Sequence, residues 1–322
     1  MTRYVLGRLG QALLVVWAAY TVTFAVLYVL PGDPVSLMAG TNVGFLTSAE
    51  LDGLRHEYGF DRPLVVQYLT LLGAAVTGDW GHSIVSGRPV LDVVVEALVP
   101  TLQLTAVGLA VAAVGGTALA LSTVWTGRRW PAQLLAALPP VGVAVPAFWF
   151  GLLLIQWFSF GIPLFPAFGA QGPAALVLPA LSLAVPTGAT IAQLLTRGLA
   201  ATLAEPYIQT VRARGAGTGR LLVRHALRNA ALPAVTMTGV VVGGLLSGAV
   251  VVETVFSRPG LGRVVAQAVG QQDVAVVQGV VVLAAVVFVL VSLAVDLLYP
   301  VLDPRIRITG RGPARSARGG AA

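Results

Sequence analysis

Long uncharged apolar stretches alternate along this chain with short segments that carry nearly all of its charge. A helix needs about 20 apolar residues to cross a ~30 Å hydrocarbon core. Six stretches reach that length: Leu9–Leu30, Thr101–Val124, Leu134–Phe158, Ala174–Leu195, Ala231–Val252 and Val274–Val295. From Trp130 to Thr196 no charge interrupts the chain, and Gly161-Ile-Pro163 and Gly172-Pro173 divide that region into the third and fourth stretches. Pro139, Pro140 and Pro146 predict a kinked third span, and Pro179 and Pro186 a kinked fourth. Arg3 and Arg8 ahead of the first stretch resemble the start of a secretory signal. The apolar run is too long for one, and Leu30-Pro-Gly-Asp-Pro34 follows it instead of a small-residue cleavage site, which predicts an uncleaved first span. The pattern predicts an all-α integral membrane protein with six transmembrane helices.

The polar segments set its orientation. With the N-terminus inside, the inner segments carry fifteen of the 20 basic residues, all arginine, and the outer ones only Arg55, Arg62, Arg88, Arg258 and Arg263. This positive-inside asymmetry puts both termini in the cytoplasm. The expected divisions are 1–30 for the N-terminus and first span, 31–98 for an extracellular insertion, 99–300 for spans two to six and 301–322 for a cytoplasmic tail, rich in Gly, Ala and Arg and partly disordered. Within the insertion, Thr47 and Glu50 form a capping box for a short helix. A second helix starts with Asp61 or Arg62 ahead of Pro63 and gathers Leu64, Tyr68, Leu69 and Leu72 on one face. The insertion is either a cap over the bundle or a surface that meets an extracellular partner.

The largest inner segment, about 198–230, runs through Glu205-Pro-Tyr-Ile-Gln-Thr-Val-Arg-Ala-Arg-Gly215 to Arg224-His-Ala-Leu-Arg-Asn-Ala-Ala-Leu-Pro233. A connector needs only a few residues. This one has helical pattern from Tyr207 to Arg214, a first-turn proline at Pro206, an acid at Glu205 on the positive end of the helix dipole, and Gly215 to stop it. Thr218 is placed to cap a second helix from Gly219 to about Asn229. The result is a helix–turn–helix elbow beneath the membrane. Its arginines either hold the topology and bind anionic headgroups or form a docking surface.

Composition narrows the function. The chain is 57% hydrophobic and 10% charged over 322 residues, a balance that only lipid can solvate. With no cysteine there is no thiolate site, and with no lysine no Walker A motif exists, so ATP chemistry would reside in another chain. His56, His82 and His225 lie outside the spans and form no ligand cluster, and no Asp or Glu sits mid-span. An intramembrane hydrolase and an ion-coupled carrier both need such groups facing a cavity. Glu253 and Asp296 fall at span ends, Asp296 near an inner arginine. Residues that could line a path are the polar Gln156, Thr236 and Ser247 with the small Gly243 and Gly244, and other polar groups, Gln103, Gln193, Thr187, Thr190 and Thr238, are scattered for hydrogen bonds between helices. The glycine face of the fifth span suits either close packing or a pore.

The elbow resembles the cytoplasmic loop by which permeases of binding-protein-dependent ABC importers contact their ATPase subunits. Asp61-Arg-Pro-Leu-Val-Val-Gln-Tyr68, Gly78-Asp-Trp-Gly81, Ser86-Gly-Arg-Pro-Val90, Pro100-Thr101, Val252-Glu-Thr-Val-Phe-Ser-Arg-Pro-Gly-Leu-Gly262 and Asp303-Pro-Arg305 extend the likeness over about 1–307. Their order is that of the dipeptide/oligopeptide/nickel permease family, in its first, B-type, subunit. The resemblance implies a type I importer permease fold and no catalytic, metal or cofactor site in this chain, with ATP and Mg held by two ATP-binding partner subunits. It implies a second homologous permease and a substrate-binding protein outside, with peptides as cargo or, alternatively, nickel or another small solute. By resemblance, contact with the ATPase falls to Glu205, Tyr207, Thr210, Val211, Arg212, Ala213, Arg214, Gly215 and Ala216. Pro206 ahead of the tyrosine, and Val211 in place of a small alanine, depart from the family pattern.

Overall fold

The computed structural model describes residues 2–29, 53, 56, 61–169 and 171–302, apart from the side chains of 2–5, 29, 232–236, 238, 239 and 295–302. The capping box at Thr47 and Glu50, the Asp296 side chain and the tail beyond 302 lie outside that description. The described residues are almost entirely helical. The main helices are α1 (Thr2–Val29), α2 (Leu64–Thr77), α3 (Val90–Trp125), α4 (Arg129–Ala144), α5 (Ala147–Ile155), α6 (Ala174–Leu203), α7 (Pro206–Ala213), α8 (Leu227–Thr236), α9 (Thr238–Val255), α10 (Leu261–Gly270) and α11 (Val274–Leu302).

Four of these are long and apolar enough to cross a membrane: Leu6–Tyr28 within α1, α3, α6 and Val274–Ala294 within α11. The third expected span is not a kinked helix. It is two helices, α4 and the α5 segment through Gly161, bent by 99°. Pro146 sits at the break, where its missing N–H and its constraint on Val145 end α4. The fifth expected span is interrupted too, at Met237 between α8 and α9, and its apolar part, Val240–Val255, is shorter than the rest.

The bundle is built on α3 against α6. Gly108, Ala112, Gly116 and Ala120 recur every fourth residue on α3 and all are buried. A Cβ on Gly116 would run into the Gly188 carbonyl, and one on Gly188 would sit 3.1 Å from the Ala112 carbonyl oxygen. Lipid gives no hydrophobic drive between helices, so this close backbone approach supplies the attraction by packing. Around it, Leu104, Leu154, Leu178, Leu183, Val252 and Phe256 form the central core. Leu195, Leu199, Ala226 and Ala230 form an inner one, and Val90, Val94, Leu261 and Val277 an outer one.

Helix α2 clasps the flank of α1. Tyr68 meets Phe24 edge-on at 5.3 Å between ring centroids, and its hydroxyl is 2.8 Å from that of Thr21. The apolar face expected of this helix is therefore displaced. Leu64 and Leu69 are exposed, whereas Gln67 is buried and donates to the Arg62 carbonyl at 2.7 Å. Pro63, rather than Asp61 or Arg62, occupies the N-cap.

Candidate functional site

The elbow expected on the inner side is built as the sequence pattern expects in its first half. Pro206 occupies the first turn of α7 behind Glu205, whose side chain makes no capping bond. Gly215 has φ +80°, a left-handed turn that a Cβ would strain. The second half differs. Gly217, not Thr218, is the N-cap, and one turn, Thr218–Arg220, passes into a π-helical segment, Leu221–Ala226, before α8.

Each residue assigned to the docking surface can now be placed. Glu205, Tyr207, Thr210, Arg212, Ala213, Arg214 and Gly215 are exposed, and Val211 and Ala216 are half-buried. What pins the helix is Ile208, 1% exposed, a residue the sequence reading passed over. Its signal was present: along α7 the aliphatic side chains are only Ile208, Val211 and Ala213. A second tie joins the two limbs, because Asn229 Nδ2 donates to the Tyr207 hydroxyl at 2.9 Å. Trp125, at the end of α3, lies over Gly219, where a Cβ would stand 2.9 Å from the indole. Among the described residues, Arg212, Arg214, Arg220, Arg224 and Arg228 have no ion-pair partner. The elbow is an anchored, positively charged, unpartnered surface.

The end of the bundle expected on the outer side is organised in the opposite way. Glu253 lies near the end of α9 and is 0% exposed. Its carboxylate accepts from the Thr101 hydroxyl at 2.6 Å and from the Gly262 N–H at 2.7 Å. Thr101 Oγ1 in turn accepts from the Leu261 N–H at 2.8 Å. Two of the four N–H groups that the start of α10 leaves without helical partners are thereby satisfied. Gly260 packs directly on the carboxylate and has no room for a Cβ. The Arg258 backbone N–H donates to the Glu253 carbonyl at 2.8 Å.

The Arg258 side chain, also buried, donates through Nη1 to the Ala175 carbonyl at 3.1 Å. That carbonyl is available because Pro179, four residues on, has no N–H to give it. Burial presses the Arg258 guanidinium below its ordinary pKa, and the Glu253 charge opposes that shift. Asp273, 2% exposed, makes a matching tie, accepting from the Ser83 hydroxyl at 2.6 Å and the Val276 N–H at 3.3 Å. The sequence motif around Glu253 thus joins α3, α6, α9 and α10.

The residues named for a path are not gathered together. Gly243 packs on Phe288 of α11, whereas Gly244 and Ser247 share the exposed face of α9 with Val240 and Val251. Gln156 is exposed at the end of α5, and the Thr236 side chain lies outside the described residues. Two clefts flank the α4–α5 elbow. One, of about 510 Å³, lies between α3, α4, α5 and α6, and its wall is wholly apolar. The other, of about 410 Å³, lies between the elbow, α6 and α9 and contains Gly244 with Thr187 and Thr190.

Known proteins match both halves of the chain. The family described as "Binding-protein-dependent transport system inner membrane component" matches residues 112–308, and the corresponding N-terminal family, "Binding-prot-dependent transport system membrane comp, N-term", matches 1–105. The glutathione transport system permease protein GsiC of Escherichia coli (strain K12) is 36% identical over 308 residues, 95% of this chain and 99% of that protein. The protein of that name from Shigella dysenteriae serotype 1 (strain Sd197) matches with the same identity and coverage. A solved inward-facing form of the MetNI methionine ABC transporter shares the fold, with a TM-score of 0.55 at 18% identity over 65% of this chain and 95% of that one. The chain belongs to the binding-protein-dependent inner-membrane components, as a multi-pass ABC importer permease of the peptide/nickel family.

Proposed function

We propose that this permease forms half of the translocation path for di- or oligopeptides, delivered by an extracellular or lipid-anchored substrate-binding protein and driven by ATP hydrolysed in partner subunits. A second homologous permease supplies the other half. Two ATP-binding chains hold ATP and Mg and seat α7, and both termini are cytoplasmic. The observation that carries this reading is α7 itself: a short helix pinned by Ile208 whose exposed arginines find no acid in the described residues. A rigid projection of that kind transmits motion from a partner into α6 and α8, which it joins. The arginine asymmetry supports an inner position for α7, where ATP is. Peptide cargo is supported by the name of the relatives, since glutathione is itself a tripeptide.

The test is purification of the complex from its native membrane, followed by uptake of radiolabelled trialanine into proteoliposomes. Wild-type protein should bring down a second permease and two ATP-binding chains and import trialanine only with ATP. The R212E/R214E variant should lose both the ATP-binding chains and uptake. Trialanine exchange by this chain without any ATPase would overturn the reading in favour of an ion-coupled carrier. Uptake of nickel but not trialanine would overturn the cargo.

A further inference from the structure

Two clefts open beside the α4–α5 elbow, and their walls differ in chemistry. The 510 Å³ cleft is faced by side chains such as Leu138, Val141, Trp149 and Leu153, which acyl chains cover without cost. The 410 Å³ cleft falls within the ~300–1,000 Å³ of small-molecule sites and carries hydroxyls. Thr190 donates to the Pro186 carbonyl at 3.0 Å, as helical threonines commonly do, and its lone pairs remain open. Thr187 makes no hydrogen bond among the described residues. Across the cleft Gly244 leaves open space, with nothing within 4 Å of where its Cβ would be.

The Thr187 hydroxyl, without a protein partner, is left for a ligand or water, and the lone pairs of Thr190 stand in the same wall. Together they present acceptors and one free donor, and no charge. A peptide unit brings one N–H donor and one C=O acceptor. The set does not suit a metal ion or an isolated charge. We propose that the cleft between α6 and α9 is the cargo subsite of this chain and that Thr187, with Thr190, engages the peptide backbone rather than its side chains. This rests on the peptide-import reading above and goes beyond it by assigning the site and the part of the cargo recognised. A wall that reads only backbone passes peptides of varied sequence and leaves their selection to the delivering protein.

The natural chain contains no cysteine, so each introduced one is its sole thiol. In the complete transporter in proteoliposomes, T187C should react with a membrane-impermeant, positively charged methanethiosulfonate. Trialanine supplied with the binding protein and ATP should slow that reaction several-fold. V141C, in the apolar cleft, should not react. The T187V/T190V variant should raise the KM for trialanine ~10-fold, the size of one neutral hydrogen bond, with little change in kcat. It should also lose the wild type's preference for trialanine over the depsipeptide in which an ester replaces the central amide. If the wild type imports trialanine while T187C is unreactive, or is equally reactive with cargo present, this inference alone falls. An unchanged KM and amide preference in T187V/T190V would sink it as well. A wild-type transporter that carries no trialanine would take down both this inference and the reading beneath it.

Discussion

Glu253→Ala tests the outer polar cluster most directly. The substitution removes a fully buried carboxylate that takes two hydrogen bonds, from Thr101 at 2.6 Å and from Gly262 at 2.7 Å. Thr101 can fall back on the Ala97 carbonyl, 3.2 Å away, and keep the Leu261 N–H. The Gly262 N–H has no such alternative and is left buried and unsatisfied, at about 1–3 kcal/mol. The space vacated by the side chain lies against Gly260 and adds a cavity cost, for a total of roughly 3–5 kcal/mol. Glu253→Gln keeps the volume and one acceptor oxygen but points an amide donor at a donor, so it should cost about half as much. The assay is thermal unfolding in lipid nanodiscs followed by tryptophan fluorescence, with Thr101→Val and the double variant completing a cycle. The expected order of stability is wild type, Glu253→Gln, Glu253→Ala, with the Thr101 substitution costing much less in the Glu253→Ala background than alone. A Glu253→Ala protein that melts with the wild type would refute the cluster as a structural element. So would full additivity of the two substitutions.

Two further substitutions follow from the same geometry. Arg258→Met should destabilise the protein by about 1–3 kcal/mol by orphaning the Ala175 carbonyl. Pro179→Ala, which restores an N–H to that carbonyl, should recover much of the loss in nanodisc melting, and failure to do so would separate Arg258 from the proline. Gly116→Leu would drive a side chain into the Gly188 backbone at the α3–α6 crossing. It should abolish recovery of folded, monodisperse protein, whereas Gly115→Leu, with open space around it, should be recovered at wild-type level in size-exclusion chromatography.

The helices themselves were legible because apolar length and charge placement are local properties. Four of the six expected spans are helices long and apolar enough to cross a membrane, and the elbow's proline start and glycine stop stand where local chemistry requires them. What the pattern missed is non-local. Pro146 reads as a kink in one dimension, but the size of the bend, 99°, depends on what α4 and α5 each pack against. The face of α2 went astray because Tyr68 found an aromatic partner on α1 and the aliphatic residues were left to lipid or solvent. Glu253 looked like a span-end acid, and no local signal names Thr101, 152 residues earlier, as its partner. The presence of Gly260 and Gly262 nearby was the available clue, since two glycines flanking one leucine leave room for a buried carboxylate.

The two long motifs of this chain look alike in sequence, each a run of small, polar and charged residues between spans, yet they are finished differently. In the outer motif nearly every polar group is consumed internally. Glu253 takes Thr101 and Gly262, Arg258 takes the carbonyl released by Pro179, and Asp273 takes Ser83. The energetic role of these bonds is to make the ends of α3, α6, α9 and α10 one body. In the inner motif the reverse holds. Apart from Ile208 and the Tyr207–Asn229 tie, the charged groups of the elbow are exposed and unpaired among the described residues. Exposed arginines contribute little to stability, so a fold that carries several along one elbow gains nothing internal from them. Satisfaction, more than composition, therefore separates the two motifs: one spends its polar groups joining α3, α6, α9 and α10, and the other leaves its arginines exposed.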